Sequence, residues 1–173
     1  YRQRDNVELV KKNEEIFQKT IDVLENHKAL GIMPEGAHGN KRRLMPLKKG
    51  VGRIAFKAAE RSDFQLKLYV VPVGLDFSHY IHFRSKVLVN FGESIPVHDY
   101  YDLYKENPAK AINHLTKEIR RRLPDLMIDI QNKELYEMYN HLRLIFNTRM
   151  RERLGIKKNG HYEQFVAGKN LIA

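Results

Sequence analysis

The chain has 173 residues and a mass of 20.4 kDa, which suits a single domain with one continuous core. With 42% hydrophobic and 30% charged residues, 10 Gly and 6 Pro, collagen-like, low-complexity and disordered classes are excluded, and no apolar run reaches the ~20 residues of a membrane-spanning helix. The absence of Cys removes disulfides, thiolate nucleophiles and thiolate-held zinc and allows a reducing compartment, while 31 Lys+Arg against 21 Asp+Glu give +10, a balance that suits nucleic acid, an anionic membrane surface or a phosphorylated small molecule.

Asp5 or Asn6 caps a predicted helix in which Val10, Phe17, Ile21 and Leu24 recur at helical spacing. Ala29-Leu30-Gly31-Ile32-Met33 is a short apolar run stopped by Pro34 and followed by turn residues, so it reads as a buried strand entering a loop. Lys48 to Glu60 carries small and apolar residues on one side and predicts a second helix despite Gly50 and Gly52. Leu66 to Gly74 and Val87 to Gly92 are β-branched and aromatic runs closed by Pro or Gly, hence strands. Asn107-Pro108 offers a cap and a first-turn proline for a helix through Ile112, Leu115, Ile119 and Leu123, which Pro124 should end or kink. From Asn132 onward, Leu135, Met138, Leu142 and Ile145 predict a last helix with Arg149, Arg151 and Arg153 towards its end.

Strands alternate with helices first and helices accumulate last. The expected class is α/β, a largely parallel or mixed central sheet flanked by helices, with helices at the C-terminal end. The opening Tyr1 and the apolar close Leu171-Ile172-Ala173 suggest one domain over 1–173, truncated at both ends.

The densest chemical signal follows the first predicted strand. Pro34-Glu35-Gly36 delivers a carboxylate and a flexible turn to the carboxyl edge of a sheet, where open α/β folds bind ligands. Lys41, Arg42, Arg43, Lys48 and Lys49 follow, ending where a helix begins, and set up a positive field for a phosphate or similar anion. On charge alone such a loop is more often simply solvated.

Order adds specificity. Pro34-Glu35-Gly36, then Pro46-Leu47-Lys48-Lys49-Gly50, then Val71-Pro72-Val73 resemble the third and fourth sequence blocks of the glycerolipid acyltransferases, the glycerol-3-phosphate and 1-acyl-glycerol-3-phosphate acyltransferases. Tyr1-Arg2 resembles the tail of the second block, and Phe91-Gly92-Glu93-Ser94-Ile95-Pro96 a segment found downstream. The resemblance implies transfer of an acyl group from a coenzyme A or acyl-carrier-protein thioester, a substrate and not a cofactor, to a hydroxyl of a glycerol phosphate in phospholipid synthesis. It implies an acceptor site at Arg2, Pro34, Glu35, Gly36, His38, Lys41, Arg42 and Arg43, with Glu35 organising the site, tying down its loop, or both.

Two departures from the family pattern matter. A histidine and an aspartate separated by four residues supply the family's base, the carboxylate fixing the imidazole tautomer. None of the eight histidines here stands in that pattern, and the nearest in chemistry, His114 with Glu118, is one residue short. Either the block lies before Tyr1 in a longer chain, the favoured reading, or the member is a non-catalytic domain on an acyltransferase scaffold. In both cases no catalytic residue is expected within this chain, and the chain alone is expected to be inactive. The second departure is Ala37-His38-Gly39 where the family has Thr-Arg-Ser. His38 can donate to an anion when protonated but lacks a guanidinium fork, and Lys41, Arg42 or Arg43 would compensate.

Phe77, Tyr80 and Phe83 with His79 and His82 either line an acyl groove, face a membrane, or pack as a hairpin. Arg120-Arg121-Arg122 and the later Arg/Lys cluster are solvated faces or contacts for anionic headgroups. The main rival function is a basic nucleic-acid-binding domain. No RNA-recognition, zinc-finger or Gly-x-x-Gly pattern accompanies the charge, so no nucleic acid and no metal are expected, and the expected location is cytoplasmic, with or without membrane association.

Overall fold

A computed structural model describes residues 7–37, 39, 41–80 and 82–172, with side chains from residue 14 onward. In chain order the elements are α1 (Val7–Glu25), α2 (Gly50–Arg61), β1 (Tyr69–Val70), β2 (Val73–Phe77), β3 (Val87–Phe91), β4 (Ile95–Pro96), a 3₁₀ turn at Val97–Tyr100, α3 (Tyr101–Glu106), α4 (Pro108–Leu126), α5 (Tyr136–Ile145), α6 (Asn147–Arg153) and α7 (His161–Asn170). They fall into two compact units.

The first unit comprises Tyr1–Gly36, Leu47–Val70 and Ile95–Glu118. Its core is built from Ile21 of α1, Phe56, Ala58 and Ala59 of α2, and Ile95, Val97, Ala111 and Leu115. Small residues on α2 allow close helix approach: a Cβ on Gly52 would sit 3.2 Å from the Ile112 side chain, which explains a residue that costs a helix roughly 1 kcal/mol relative to alanine. At the end of α2, Arg61 reaches Asp22 and Glu25 of α1 at 3.0 and 2.8 Å. Phe56 stacks on Tyr104 of α3 with ring centres 4.6 Å apart. The sheet here is the antiparallel pair β1–β4, with Val70 opposite Ile95.

The second unit comprises Ala37–Pro46, Val71–Ser94 and Ile119–Ala173. Its hairpin β2–β3 pairs Val73 with Phe91, Leu75 with Val89 and Phe77 with Val87. One hairpin face carries Gly74 against the end of α4, where any Cβ would collide with the Leu126 carbonyl, and Asn90 Nδ2 donates to that same carbonyl at 2.9 Å. Ile128, Ile130, Tyr136 and Phe165 form the core beside it. The segment after the glycine-rich loop is stitched in by backbone: Ile130 N–H donates to Arg42 O at 2.7 Å, and Leu44 N–H donates to Asp129 Oδ1 at 2.8 Å.

Several elements differ from the sequence expectation. Ala29–Met33 forms no ladder with any described strand, and Met33 is 70% exposed; an apolar run becomes a strand only with a hydrogen-bonding neighbour. Leu66–Gly74 is two strands, because Pro72 has no N–H to give a ladder and separates β1 from β2. The described residues hold two two-stranded antiparallel sheets. The last predicted helix is broken at Phe146 into α5 and α6, while β4, α3 and α7 were unforeseen. Pro124 sits inside α4, which ends just past it at Leu126.

Candidate functional site

Two of the blocks read from sequence meet in the first unit. The Lys48 N–H donates to Pro34 O at 2.7 Å, and Gly36 N–H donates to Met33 O at 3.3 Å, closing the turn that presents Glu35. Gly36 holds φ +65, the left-handed region that a side chain resists, and its open Cα side lies against Lys48, whose Cγ would be 3.4 Å from a Cβ there. Glu35 is half-buried, Lys48 and Lys49 are exposed, and α2 begins at Gly50. Carboxylate, cation and helix start are thus fixed to one another by backbone, which gives an anion a positive, N–H-rich terminus to approach. Arg2 and His38 lie outside the described residues.

In the second unit the three basic residues have separate environments. The Lys41 side chain is 52% exposed, 4.0 Å from Glu137 and 4.7 Å from the Tyr136 ring centre. Arg43 is half-buried. Arg42 is buried: its guanidinium pairs with Asp76 and donates to Phe77 O at 2.5 Å, its backbone N–H donates to the Tyr136 hydroxyl at 2.7 Å, and the Tyr80 ring centre lies 5.2 Å from its Cζ. An anion recruited by Arg42 therefore competes with a buried carboxylate. The other carboxylate oxygen of Asp76 is 3.2 Å from His161 Nε2, at the start of α7. Burial pushes the Tyr80 phenol up, so it stays a hydrogen-bond donor at neutral pH.

Asp76, Arg42, His161 and Tyr80 form a polar group that motif reading did not assemble. One signal was available. Asp76 is an acidic residue at an inward position of the strand Val73-Gly74-Leu75-Asp76-Phe77, and a buried carboxylate requires a cation. Nothing in spacing pointed to Arg42 as its partner, 34 residues away.

Residues 3–76 match the family model for Acyltransferase. The chain is 37% identical over 112 residues to glycerol-3-phosphate O-acyltransferase 2 of Saccharomyces cerevisiae, an alignment covering 64% of this chain and 15% of that protein. It is 24% identical over 142 residues to glycerol-3-phosphate O-acyltransferase 1 of the same yeast, covering 80% of this chain and 19% of that protein. An uncharacterized acyltransferase of Schizosaccharomyces pombe is 34% identical over 79 residues, 44% of this chain and 11% of that protein. The chain therefore spans less than a fifth of the length of these curated relatives. No solved structure matches it. The family match over residues 3–76 and the alignments to the two yeast enzymes are similarities that support a relationship of this chain to the glycerolipid acyltransferases.

Proposed function

We propose that this chain is part of a phospholipid-synthesis acyltransferase that moves an acyl group from a coenzyme A or acyl-carrier-protein thioester to a hydroxyl of a glycerol phosphate. The observation that carries this reading is the link from Lys48 N–H to Pro34 O, which holds the Pro-Glu-Gly turn and the Pro-Leu-Lys-Lys-Gly block as one piece. In the proposed reaction the acceptor hydroxyl attacks the thioester carbonyl, a C–O bond forms, the C–S bond breaks, the hydroxyl proton passes to a base and the thiol departs. That base is the histidine of a block that the 173 residues do not contain, so the chain by itself is expected to show no transfer.

The acceptor phosphate is held by Arg2, the Pro34–Gly36 turn, His38 and the basic residues Lys41, Arg42 and Arg43, with Glu35 ordering the turn. The architecture that accompanies the reading is α/β, with a largely parallel or mixed central sheet flanked by helices. Contact with an anionic membrane surface belongs to the same reading, since the substrates are lipids and the chain carries +10.

The test is acyl transfer by the intact protein, with glycerol 3-phosphate as the varied substrate. Glu35→Gln is expected to lower kcat/KM for the acceptor by at least tenfold, about 1.4 kcal/mol, with little change in Tm. Unchanged kcat/KM in a folded Glu35→Gln protein removes Glu35 from the site. Absence of acyl transfer by the intact protein with any glycerol phosphate refutes the reading as a whole.

A further inference from the structure

The α5 helix is held by one face and leaves the other open. Tyr136 and Arg143 are its buried residues. Leu135, Met138, Leu142 and Ile145 recur three and four residues apart on the opposite side. Leu142 is half-buried, but Leu135, Met138 and Ile145 are exposed, Ile145 by 71%. The break at Phe146 is bridged by hydrogen bonds of four-residue span: Phe146 N–H donates to Leu142 O and Met150 N–H to Phe146 O, each at 2.9 Å. Arg149 and Arg153, both exposed, therefore stand one and two turns beyond Ile145, and the row passes from apolar side chains to cations.

Those cations lack counter-charge. Within 147–158, Arg149, Arg151, Arg153, Lys157 and Lys158 stand against a single acid, Glu152. Arg151 is tied into the fold: its Nε donates to Asn147 Oδ1 at 3.3 Å and its Nη1 to Lys158 O at 3.2 Å, which folds the Lys157–Lys158 turn back onto α6. Among the described residues no carboxylate lies within ion-pair distance of Arg149, Arg153, Lys157 or Lys158. Single exposed apolar side chains need no explanation, but a helical row of them running into unpaired cations does.

We propose that this row and its cations are a docking face for an anionic membrane surface, with Met138 and Ile145 at the acyl boundary and Arg149, Arg153, Lys157 and Lys158 among the headgroups. The inference rests on the membrane contact of the reading above and names the element that makes it. Charge selects the occupant. Five cations against one acid oppose a second copy of a chain at +10, whereas an anionic leaflet meets all of them at once. Arginine stems lie along apolar surface while the guanidinium stays in water, so Arg149 and Arg153 extend the apolar row instead of ending it. A basic amphipathic helix of this kind lies in the interface plane, and no helix of the described residues is long and apolar enough to cross a membrane.

The experiment is partition of the intact protein onto vesicles of phosphatidylserine in phosphatidylcholine, at low and at high potassium chloride, with Tm measured without vesicles. The double variant Arg149→Gln, Arg153→Gln is expected to lower partition at low salt at least threefold, where the headgroup charge is least screened. Lys67→Gln with Lys117→Gln, two exposed lysines of the first unit, removes the same charge elsewhere and is expected to lower it less. Met138→Gln with Ile145→Gln is expected to lower the partition that survives high salt at least threefold and to leave Tm unchanged. The face is overturned if the arginine pair loses no more than the lysine pair, or if either α5–α6 variant falls short of threefold. A lowered Tm in Met138→Gln, Ile145→Gln also overturns it, since the row is then covered by protein. Acyl transfer to glycerol 3-phosphate in detergent, measured in parallel, is expected to stay at the wild-type rate in both variants. Transfer lost while partition is kept overturns the docking role, whereas absence of transfer in the wild type refutes the reading above and leaves the vesicle result to decide this face.

Discussion

A single carboxylate, Asp76, decides how two basic side chains of the second unit, Arg42 and His161, are arranged. Its two oxygens meet Arg42 and His161 while Arg42 also donates to Phe77 O. The pairing of so buried a group contributes little net stability over an apolar replacement, but breaking it from one side leaves charge behind. Asp76→Asn is accordingly expected to destabilise by about 3–5 kcal/mol, measured by urea unfolding. Adding Arg42→Met to Asp76→Asn is expected to restore part of that loss, giving a double-mutant coupling of at least about 1 kcal/mol. Additive losses would mean that Arg42 and Asp76 do not compensate each other. At this scale the sequence was readable in one direction only. Arg42 was visible as a cation in a basic run, whereas its burial came from an aspartate far away in the chain, beyond the reach of any local pattern.

Among the elements, α4 shows how far end signals in the sequence reach. Asn107 Oδ1 accepts the Lys110 N–H at 3.0 Å and Pro108 opens α4, as the dipeptide implied. The α5 helix was found with its face turned the wrong way. Leu135, Met138, Leu142 and Ile145 made the apolar stripe, yet Met138 and Ile145 are 45% and 71% exposed, and Tyr136 and Arg143 are the residues that point inward. Both sets have helical spacing, and the choice between them rests on the polar partners that Tyr136 finds at Arg42, which hydrophobicity does not register. Met138→Gln should therefore leave urea stability within about 0.5 kcal/mol, while Tyr136→Phe, which strips the Arg42 N–H of its acceptor, should cost about 1–3 kcal/mol. The reverse order of losses would restore the apolar stripe as the buried face. The Ala29–Met33 run shows the complementary limit: its composition suits a strand, but a ladder is a property of two segments.

At the level of the whole molecule, +10 is a statement about partners and not about fold, and it does not by itself choose a lipid surface. The β2–β3 hairpin adds a second term. Its register places Val73, Leu75 and Phe77 of β2 across from Phe91, Val89 and Val87 of β3 on one face, and Phe91 is 72% exposed. At the hairpin tip Phe83 is 91% exposed, with the Arg84 guanidinium 5.5 Å from its ring centre. An aromatic ring with a cation beside it suits the boundary between headgroups and acyl chains, where each basic residue gains about 1 kcal/mol against an anionic leaflet and apolar burial adds a salt-independent part. Under the proposed reading the intact protein should sediment with phosphatidylserine-containing vesicles more than with phosphatidylcholine alone. Raising salt from 0.05 to 0.5 M, where the screening length falls to a few Å, should remove most but not all of that binding. Phe83→Ser should reduce the salt-resistant remainder, and Arg84→Gln the salt-sensitive part. Equal binding to charged and neutral vesicles, or a salt-resistant remainder untouched by Phe83→Ser, would deny the hairpin tip any part in holding the protein to a membrane.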